Sequence, residues 1–365
     1  MLQIIGDVAS KFLFDGELIY AEAYGNGHIN DTYAVYFKFE FAQPIRYIIQ
    51  RINHNIFKKP LRMMENISGV TSHISKKLAD SGQDPSRRVL KIISTRNSED
   101  QYIDDNGNYW RAYEFIDDAT SYQSATPELF EESGAAFGAF LSMLSDYPAH
   151  ELHETITNFH HTPSRFKALC DAIENDPANR AKDVRDEIDF AIKREKDAFV
   201  LVDMLSAKSL PLRVTHNDTK LNNVMIDNKT GKGLCVIDLD TVMPGISLYD
   251  FGDSIRFGAS TGVEDETDLS KISMDLMMFE AYTRGWLSQA RPNLIDSELE
   301  MMPFAAKLMT YECGIRFLAD YLSGDVYFKT KRPDHNLDRA RTQLKLVADM
   351  EIKSDAMAAI VRKYV

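Results

Sequence analysis

Apolar and polar positions follow two different rhythms in this chain, and the rhythm changes near residue 120. Before that point, short segments rich in β-branched and aromatic residues alternate with Gly, Asn and Pro, which is typical of strands joined by turns. The segments that predict strands are 18–24, 32–39, 47–52, 89–94 and 109–116. Residues 60–78 interrupt them and predict one helix.

Beyond residue 125, apolar residues recur at helical spacing. Thr126 followed by Pro127 is a typical helix start, with a hydroxyl N-cap and a proline in the first turn. Further helices are predicted at 183–206, 270–289, 297–322 and 336–362. We therefore expect an α+β protein with an N-terminal antiparallel sheet lobe that carries one helix, residues 1–116, and a larger helical C-terminal lobe, residues 117–365. Ligands commonly bind in the cleft between two such lobes.

Composition narrows the partners of this chain. Its 42 Lys and Arg residues against 55 Asp and Glu residues give a formal net charge of −13, and a surface of that sign repels nucleic acid. A phosphate-bearing ligand would therefore need a metal ion or a local cluster of cations. The three cysteines are widely spaced and indicate neither a disulfide framework nor a cysteine zinc site.

No segment of the sequence predicts a membrane anchor. The longest uncharged, mostly apolar stretch, 134–145, is too short to cross a bilayer, and the N-terminus has no continuous apolar core of signal-peptide type. We expect a cytoplasmic protein that acts on a small molecule, with no nucleic-acid or membrane partner. Its oligomeric state stays open.

A compact β segment, 212–238, lies inside the helical half. Its first strand runs into the loop 216–223 (HNDTKLNN), and the strands 224–226 and 234–237 follow as a hairpin. Asn223 enters this hairpin at the end where Asp238 leaves it. Because opposed residues of antiparallel strands lie about 5 Å apart, the amide oxygen and the carboxylate can share one ion. Hard oxygen ligands suit Mg²⁺, so Asn223 and Asp238 are the predicted metal ligands.

The loop before the hairpin supplies the other parts of a phosphoryl-transfer site. Asp218 would orient an attacking hydroxyl and accept its proton, while Lys220 can place a cation beside the transferring phosphoryl group. The order Asp-x-Lys-x-x-Asn, hairpin, Asp matches the phosphoryl-transfer template of protein-kinase type. Asp218 and Lys220 are therefore the predicted catalytic residues, and ATP and Mg²⁺ are the predicted cofactors.

These motifs resemble a known family. His216, Asp218 and Asn223 at their spacing, followed by Ile237-Asp238, look like the aminoglycoside and choline kinase branch of the protein-kinase-like superfamily. Within that branch the chain is more similar still to the N-acetylhexosamine kinases, and the resemblance covers nearly the whole sequence. The matching stretches are YGNGHIN at 24–30, VTHNDTKLNN at 214–223, IDLDTVMPG at 237–245 and ECGIRF at 312–317. The resemblance implies a bilobal protein-kinase-like fold and ATP-dependent phosphorylation of the anomeric hydroxyl of an N-acetylhexosamine (GlcNAc or GalNAc).

The same resemblance assigns roles to further residues. Those implied to face the sugar beside Asp218 are Thr241, Arg316 and Tyr327. His216 and Asp250 are implied to support the catalytic loop, Asp250 as a buried aspartate that braces it through hydrogen bonds. The tripeptide 250–252 also spells the metal motif of protein kinases, but no apolar strand precedes it as one precedes Asp238, so Asp238 is preferred as the ligand.

The nucleotide-binding residues are predicted in the first lobe. Glycines between two strands let backbone N–H groups approach phosphate closely. The predicted phosphate-covering residues are Gly25, Gly27, His28 and Asn30. The connector 110–116 would read the adenine edge through backbone groups near Glu114 and Phe115, while its side chains serve ordinary packing.

The first lobe also departs from the family pattern. Kinases usually place a Lys on the third strand, paired with a Glu on the following helix. This chain offers Gln50 or Arg51 in place of that Lys, with Glu65 as a candidate partner, and Asp240 is either a second metal contact or an exposed acid. Two alternatives follow: a kinase of this fold that acts on homoserine, an amino alcohol or another sugar, and a non-catalytic nucleotide-binding module, which the missing lysine would explain.

Overall fold

The N-terminal part of the chain forms a five-stranded sheet. In this computed structural model, which describes residues 2–25, 29–39 and 43–365, its strands are β1 Glu17–Ala23, β2 Asp31–Lys38, β3 Ile45–Ile52, β4 Tyr102–Ile103 and β5 Tyr109–Glu114. They lie in the order β1-β2-β3-β5-β4, and each hydrogen-bonded pair is antiparallel. The β-branched and aromatic residues of these segments favour the extended conformation.

The two faces of this sheet bury different kinds of side chain, because successive residues of a strand point to opposite sides. Helix α1, Leu2–Ala9, packs on one face over an apolar cluster of strand residues. Helix α2, Pro60–Asp80, lies on the other face. There Gln50 of β3 stands opposite Arg111 of β5, and Arg111 Nη1 lies 3.9 Å from Met64 Sδ of α2. The sheet therefore carries a polar group on its α2 side.

Shorter strands surround the predicted catalytic loop. β6 Ala119–Ser121, β8 Val224–Asp227 and β9 Gly233–Val236 form a sheet in the order β6-β8-β9, and β7 Arg213–Thr215 pairs with β10 Met243–Gly245. Asp227 closes the turn after β8, because its carboxylate accepts the backbone N–H groups of Lys229 and Thr230 at 3.1 and 2.8 Å. The predicted hairpin is confirmed.

The rest of the chain is mainly helical. Thr126 caps α3 as predicted, since its hydroxyl accepts the backbone N–H of Leu129 at 3.3 Å and Pro127 follows it. The helices are α3 Pro127–Met143, α4 Thr162–Asn175, α5 Arg185–Ile192, α6 Glu195–Ser206, α7 Ser247–Gly258, α8 Leu276–Ala290, α9 Asp296–Leu322, α10 His335–Ile352 and α11 Ser354–Lys363. None of the helices within the described residues is long and apolar enough to cross a bilayer.

Packing divides the chain into two compact units. The sheet unit comprises residues 1–120, 146–157 and 225–243, and the helical unit comprises 121–145, 158–224 and 244–365, as far as the structure describes them. These units are discontinuous in sequence, whereas the predicted lobes, 1–116 and 117–365, are continuous. The hairpin thus packs with the sheet unit and the loop before it with the helical unit.

The predicted α+β class, an N-terminal antiparallel sheet followed by a mainly helical region, is confirmed, with local corrections. Residues 89–94 are not a strand and contact β5 through the isolated bridge Ile92–Tyr113. Helix α1 adds to the one helix predicted for the first lobe. The predicted helices 183–206 and 336–362 are each two helices, with breaks at 193–194 and Lys353. The sequence predicts one helix in each case because the helical apolar spacing continues across these breaks.

Candidate active site

The loop 216–223 starts at the end of β7 and finishes in a single helical turn, Leu221–Asn223, that leads into β8. His216 is fully buried, and its ring lies edge-on to Phe137 and Phe140 of α3, with centroids 5.3 and 5.9 Å away. The Nδ1 atom of His216 accepts the backbone N–H of Asp218 at 3.3 Å. The imidazole therefore anchors the start of the loop against α3.

Asp250 holds the same end of the loop from α7. Its buried carboxylate accepts the backbone N–H groups of His216 and Asn217 at 2.8 and 2.7 Å. Asn217 has a φ of 65°, and this left-handed turn lets two successive N–H groups converge on one carboxylate. Burial raises the pKa of Asp250 to about 7, although both N–H donors oppose the rise. Because residues 250–252 lie inside a helix, the contacts support the structural role that the resemblance implies.

A buried ion pair between His160 and Glu312 holds Asn217, the next residue of the loop. The local sequence pattern does not reveal this pair. His160 Nδ1 lies 2.9 Å from Glu312 Oε1, and His160 Nε2 lies 3.2 Å from the carbonyl oxygen of Asn217. Both partners can only accept, so both ring nitrogens carry hydrogen and the imidazole is charged. Burial alone would lower the pKa of His160, but the hydrogen bond and charge of Glu312 raise it overall. The signal available in the sequence is Glu312 itself, a carboxylate within an apolar helix.

Asp218, Lys220 and Asn223 form one hydrogen-bonded group. Asp218 Oδ1 lies 2.6 Å from Lys220 Nζ, and Asn223 donates its Nδ2 to the backbone oxygen and to Oδ2 of Asp218 at 2.7 and 3.2 Å. The side chains of Asp218 and Lys220 are 26% and 35% exposed, so a ligand can reach them. Burial opposes charge on Lys220, but Asp218 raises the pKa of the ammonium group overall. Both donors fix the orientation of the Asp218 carboxyl group, and a carboxylate is a group that can accept a proton.

The predicted metal ligands are Asn223 in the helical unit and Asp238 in the sheet unit. Since the Asn223 amide nitrogen faces Asp218, its carbonyl oxygen is directed away from Asp218, as in a metal ligand. Asp238, with a φ of 59°, immediately precedes the single helical turn Leu239–Thr241. One amide and one carboxylate oxygen fit Mg²⁺, which keeps several waters. Among the described residues, no group of three His, Cys, Asp or Glu side chains could hold a metal.

Asp240, in the turn after Asp238, is not an exposed acid. Its side chain is 3% exposed, its Oδ1 lies 2.5 Å from Arg111 Nη1, and its Oδ2 accepts Asn30 Nδ2 at 2.7 Å. Arg111, 1% exposed, also donates Nε to Gln50 Oε1 at 3.0 Å. An ion pair with Arg111 and a hydrogen bond from Asn30 thus occupy the two carboxylate oxygens, which disfavours Asp240 as a second metal contact. The expectation that the side chains of the connector serve only ordinary packing is therefore wrong for Arg111, which makes these polar contacts.

The strand alternation separates Gln50 from Arg51. Gln50 shares the α2 side of the sheet with Arg111, whereas Arg51 points to the opposite side and donates Nε to Asp31 Oδ2 at 2.8 Å, where both side chains are exposed. Glu65 pairs instead with His153 Nε2 at 2.6 Å. A buried arginine–carboxylate pair on the α2 side of the sheet is therefore contributed by β5 and by the turn after Asp238, and not by β3 and α2.

The glycine loop between β1 and β2 is described in part. Gly25 has a φ of 77°, a conformation that favours glycine, while Gly27 and His28 lie outside the described residues. The Asn30 side chain is fully engaged, because it donates to Asp240 and its Oδ1 accepts the backbone N–H of Asn53 at 2.9 Å. Asn30 therefore fixes the end of the loop rather than presenting a free amide.

The connector residues already use backbone donors within the protein. The N–H of Glu114 donates to Lys91 O at 2.9 Å, and that of Phe115 donates to Arg46 O at 3.3 Å. The Arg46 guanidinium stacks 3.9 Å from the Phe115 ring centroid, and Tyr24, just before the glycine loop, lies edge-on to the same ring at 5.4 Å. The structure thus brings Tyr24 and Phe115 of the connector together, and adenine binding there stays a prediction.

Arg316 and Tyr327 meet in the helical unit around Phe328. The Arg316 guanidinium lies 5.6 Å from the Phe328 ring centroid, and the Tyr327 ring lies edge-on to Phe328 at 4.8 Å. Asp320 shapes this loop, because its carboxylate accepts the backbone N–H groups of residues 326, 327 and 328 at 3.0, 2.8 and 2.9 Å. Thr241, the third residue implied to face the sugar, ends the turn after Asp238 in the sheet unit, and its role stays a prediction.

Arg165 is a further cation of this region that the sequence analysis does not single out. Burial and the neighbouring charge of Arg316 lower the pKa of Arg165, while Glu312 and Tyr327 act in the opposite direction. Its Nη2 donates to Phe159 O at 2.9 Å, but its buried Nε has no hydrogen-bond partner among the described residues. The charges of Arg165 and Arg316 thus act on each other, and Glu312 offsets only part of this repulsion.

Comparisons with known proteins show the family and the fold of this chain. A family model described as "APH: Phosphotransferase enzyme family" matches residues 22–288, well over half of the chain. The structure of the microcompartment-associated aminopropanol kinase matches with a TM-score of 0.62 at 14% identity, over 98% of this chain and 99% of that one. Amicoumacin kinase hAmiN, in complex with AMP-PNP, Ca²⁺ and Ami, matches with a TM-score of 0.58 at 14% identity, over 97% and 93%. Choline kinase from Cryptosporidium parvum Iowa II matches with a TM-score of 0.55 at 13% identity, over 100% and 99%. At these identities the structural likeness shows the fold alone.

Proposed function

Because the chain belongs to this phosphotransferase enzyme family, we propose that it is an ATP-dependent kinase that phosphorylates the anomeric hydroxyl of an N-acetylhexosamine, with the sugar 1-phosphate as product. The observation that carries the proposal is the group formed by Asp218, Lys220 and Asn223. It contains a reachable carboxylate that lies 2.6 Å from an ammonium group and 3.2 Å from an amide donor. Such a carboxylate can orient a hydroxyl and accept its proton.

The reaction then divides among the residues of this chain. Asp218 hydrogen-bonds the anomeric hydroxyl, orients its oxygen toward the γ-phosphorus of ATP and takes the proton as the new P–O bond forms. The bond between the γ-phosphorus and the bridging oxygen breaks in the same transfer, and ADP leaves with the electron pair of that bond. Lys220, already beside Asp218, offsets negative charge on the phosphoryl oxygens during transfer. His160, Asp250 and His216 keep the loop in place through the contacts described above.

The metal belongs to the same proposal. Asn223 and Asp238 would hold Mg²⁺, as the hairpin argument predicts, and their oxygen donors fit its preference. A bound Mg²⁺ would neutralise phosphate charge and orient the nucleotide. The amicoumacin kinase structure contains AMP-PNP together with a divalent cation, which supports a nucleotide–metal pair for this fold.

The charge around Arg316 bears on the class of acceptor. An acceptor with an ammonium group would face both Arg165 and Arg316. At a separation of 6 Å and an effective dielectric constant of about 20, each arginine repels such a cation by about 3 kcal/mol. Glu312, the nearby acid, is already bound to His160 and to the Thr162 hydroxyl at 2.7 Å. A neutral acceptor with carbonyl and hydroxyl oxygens, such as an N-acetylhexosamine, suits these donors better than an amino alcohol does.

The two alternatives are less well supported. Homoserine carries both a carboxylate and an ammonium group, so the arginines could hold only one end of it, and another neutral sugar remains the strongest rival acceptor. A non-catalytic nucleotide-binding module would not need a reachable Asp218 with Lys220 and Asn223 beside it. The missing strand lysine motivated that alternative, and the buried Arg111–Asp240 pair offers a different charged pair on the same side of the sheet.

A panel of acceptors with MgATP tests the proposal. The purified protein is incubated with GlcNAc, GalNAc, glucose, galactose, homoserine and ethanolamine, ADP release is followed, and the product is examined by ³¹P NMR. We expect turnover with the N-acetylhexosamines and a phosphorus signal coupled to the anomeric proton. Phosphate on a primary hydroxyl would refute the 1-kinase assignment. Turnover confined to ethanolamine would refute the charge argument and favour the amino-alcohol alternative.

A further inference from the structure

A continuous polar network of four hydrogen bonds and one ion pair crosses the α2 side of the sheet unit. It joins β2, β3 and β5 to the turn after Asp238 and to Asn30, which precedes β2. Its members, in order, are Thr32, Gln50, Arg111, Asp240, Asn30 and the backbone of Asn53, and the ion pair joins Arg111 to Asp240. The network therefore connects the turn that follows a predicted metal ligand, Asp238, with the last residue of the predicted phosphate-covering loop inside a single unit.

Within this polar network Arg111 is the only positively charged donor, and all its described contacts are with other residues of the sheet unit. Its Nη1 lies 2.5 Å from Asp240 Oδ1, its Nε lies 3.0 Å from Gln50 Oε1, and its guanidinium carbon lies 5.3 Å from the Tyr113 ring centroid. Burial opposes the charge, but Asp240 and Asp238 raise the pKa of Arg111 overall. The charge of Asp238 thus acts on Arg111 together with that of Asp240.

Stability alone does not explain this pair. Moving two charges out of water costs several kcal/mol per ion, and well-packed apolar residues of similar volume often stabilise a protein equally well. What a planar guanidinium provides is orientation, since its donors leave in fixed directions. Here those directions hold Asp240, which in turn holds Asn30 at 2.7 Å.

We propose that Arg111 is a positioning residue of the nucleotide site: by holding Asp240 it fixes the turn that begins at Asp238, and through Asn30 it fixes the end of the glycine loop. The proposal deepens the proposed function and rests on it, because it takes Asp238 and the glycine loop to bind MgATP. An arginine from β5 and an aspartate from the turn thereby take the positioning role that a lysine of the third strand and a glutamate of the helix usually have in kinases. Arg111 acts through its neighbours and needs no direct contact with phosphate.

Three variants test the proposal. Arg111→Lys keeps the charge but loses the planar fork. The double variant R111M/D240L removes both charges with little change in volume. The double variant R51M/D31L is the matched control, because it removes the exposed arginine–aspartate pair of β3 and β2 on the opposite side of the sheet.

The primary readout is the affinity for MgADP, measured by isothermal titration calorimetry, with thermal unfolding as the check on folding. Loss of a residue that orients a metal ligand typically weakens binding by about 10- to 100-fold, so we expect that loss for R111M/D240L and about 10-fold for Arg111→Lys. The control should stay within about twofold of the wild type, since an exposed pair contributes little. In steady-state assays KM for ATP should rise while KM for the acceptor stays unchanged, a split that general destabilisation would not produce.

Each outcome decides the matter. MgADP affinity within about twofold of the wild type in a folded R111M/D240L, or an equal loss in R51M/D31L, overturns the proposal. If R111M/D240L does not fold, Arg111→Lys decides by the same criterion. A wild-type protein that binds MgADP but phosphorylates no acceptor refutes the proposed function while leaving this comparison of nucleotide affinities intact. Normal wild-type turnover with unchanged affinity in the variants refutes the role of Arg111 alone.

Discussion

Replacing His160 with alanine would show how the catalytic loop is supported. The variant removes the donor that faces Glu312 and the donor that faces the Asn217 carbonyl, at 2.9 and 3.2 Å. Glu312 would keep the Thr162 hydroxyl, but its side chain is 1% exposed, so water cannot replace the imidazolium. The variant therefore leaves a buried carboxylate without a counter-ion and the loop without one of its anchors.

The expected size of the effect follows from these contacts. Removing one partner of a buried ion pair costs about 3–5 kcal/mol, because the remaining charge stays desolvated. The lost hydrogen bond to Asn217 accounts for about 1 kcal/mol of this. Adding Glu312→Gln to His160→Ala should recover part of the loss, since an amide tolerates burial better than a carboxylate does.

The pH dependence of stability gives a second, independent test of the His160–Glu312 pair. Because the pKa of His160 is raised above its ordinary 6.5, its stabilising contribution is fully present below that value and disappears as the pH rises through the pKa in the folded protein. The pKa of Glu312 is lowered: burial alone would raise it, but His160 outweighs burial. Its contribution is therefore present above 4.5 and lost as the pH falls. The pair should stabilise the protein most between these two limits.

Chemical denaturation followed by circular dichroism, from pH 5 to 10, measures both effects. The wild type should lose stability on the alkaline side, and His160→Ala should lack that part of the slope. His153→Ala is the matched control, because the His153–Glu65 pair is exposed (36% and 63%) and should contribute less than about 1 kcal/mol. Equal free energies of unfolding for the wild type and His160→Ala at pH 6 would contradict a charged His160 that stabilises the fold. Identical slopes of the free energy of unfolding against pH on the alkaline side would contradict it as well.

Three further predictions concern the reaction and the motif in α7. Asp218→Asn should lower turnover by about 10²–10⁴-fold with unchanged MgADP affinity, and near-normal turnover would remove Asp218 as the base. Asp238→Ala should abolish Mg²⁺-dependent turnover, whereas Asp250→Asn should mainly lower stability; the reverse pattern in kinetic and unfolding assays would exchange their roles. Gly252→Ala should destabilise the fold by about 1–3 kcal/mol, because the added Cβ would lie 2.5 Å from Ala305 O, and unchanged denaturant midpoints would contradict that close approach.

Features that depend on neighbouring positions were accessible from the sequence. The alternation of apolar residues predicts β1, β2, β3 and β5, and the Thr126-Pro127 pair predicts the start of α3, because each depends on a few adjacent residues. The same holds for the hairpin after the loop 216–223. Within that loop, the contacts of Asp218, Lys220 and Asn223 span five residues or fewer, so spacing alone identifies them.

Local patterns do not locate breaks in an otherwise periodic stretch. Residues 183–206 keep helical spacing across 193–194, and 336–362 keep it across Lys353, although the chain forms separate helices there. Residues 89–94 have strand composition but pair through one bridge, Ile92–Tyr113. In each case packing against other elements overrides a local preference that is worth less than about 1 kcal/mol per residue.

The sequence by itself determined the class of fold and the hairpin that follows the loop 216–223, since these depend on short-range order in the chain. The preference for Asp238 over Asp250 as the metal ligand stays a prediction. Only the tertiary structure decided that Gln50 rather than Arg51 shares a side of the sheet with Arg111, that Arg111 pairs with Asp240, and that His160 meets Glu312 across 152 positions. The physical reason is burial. A charge is stable inside a protein only beside its partner, and that partner is brought near by the fold, at a distance along the chain that no local pattern records.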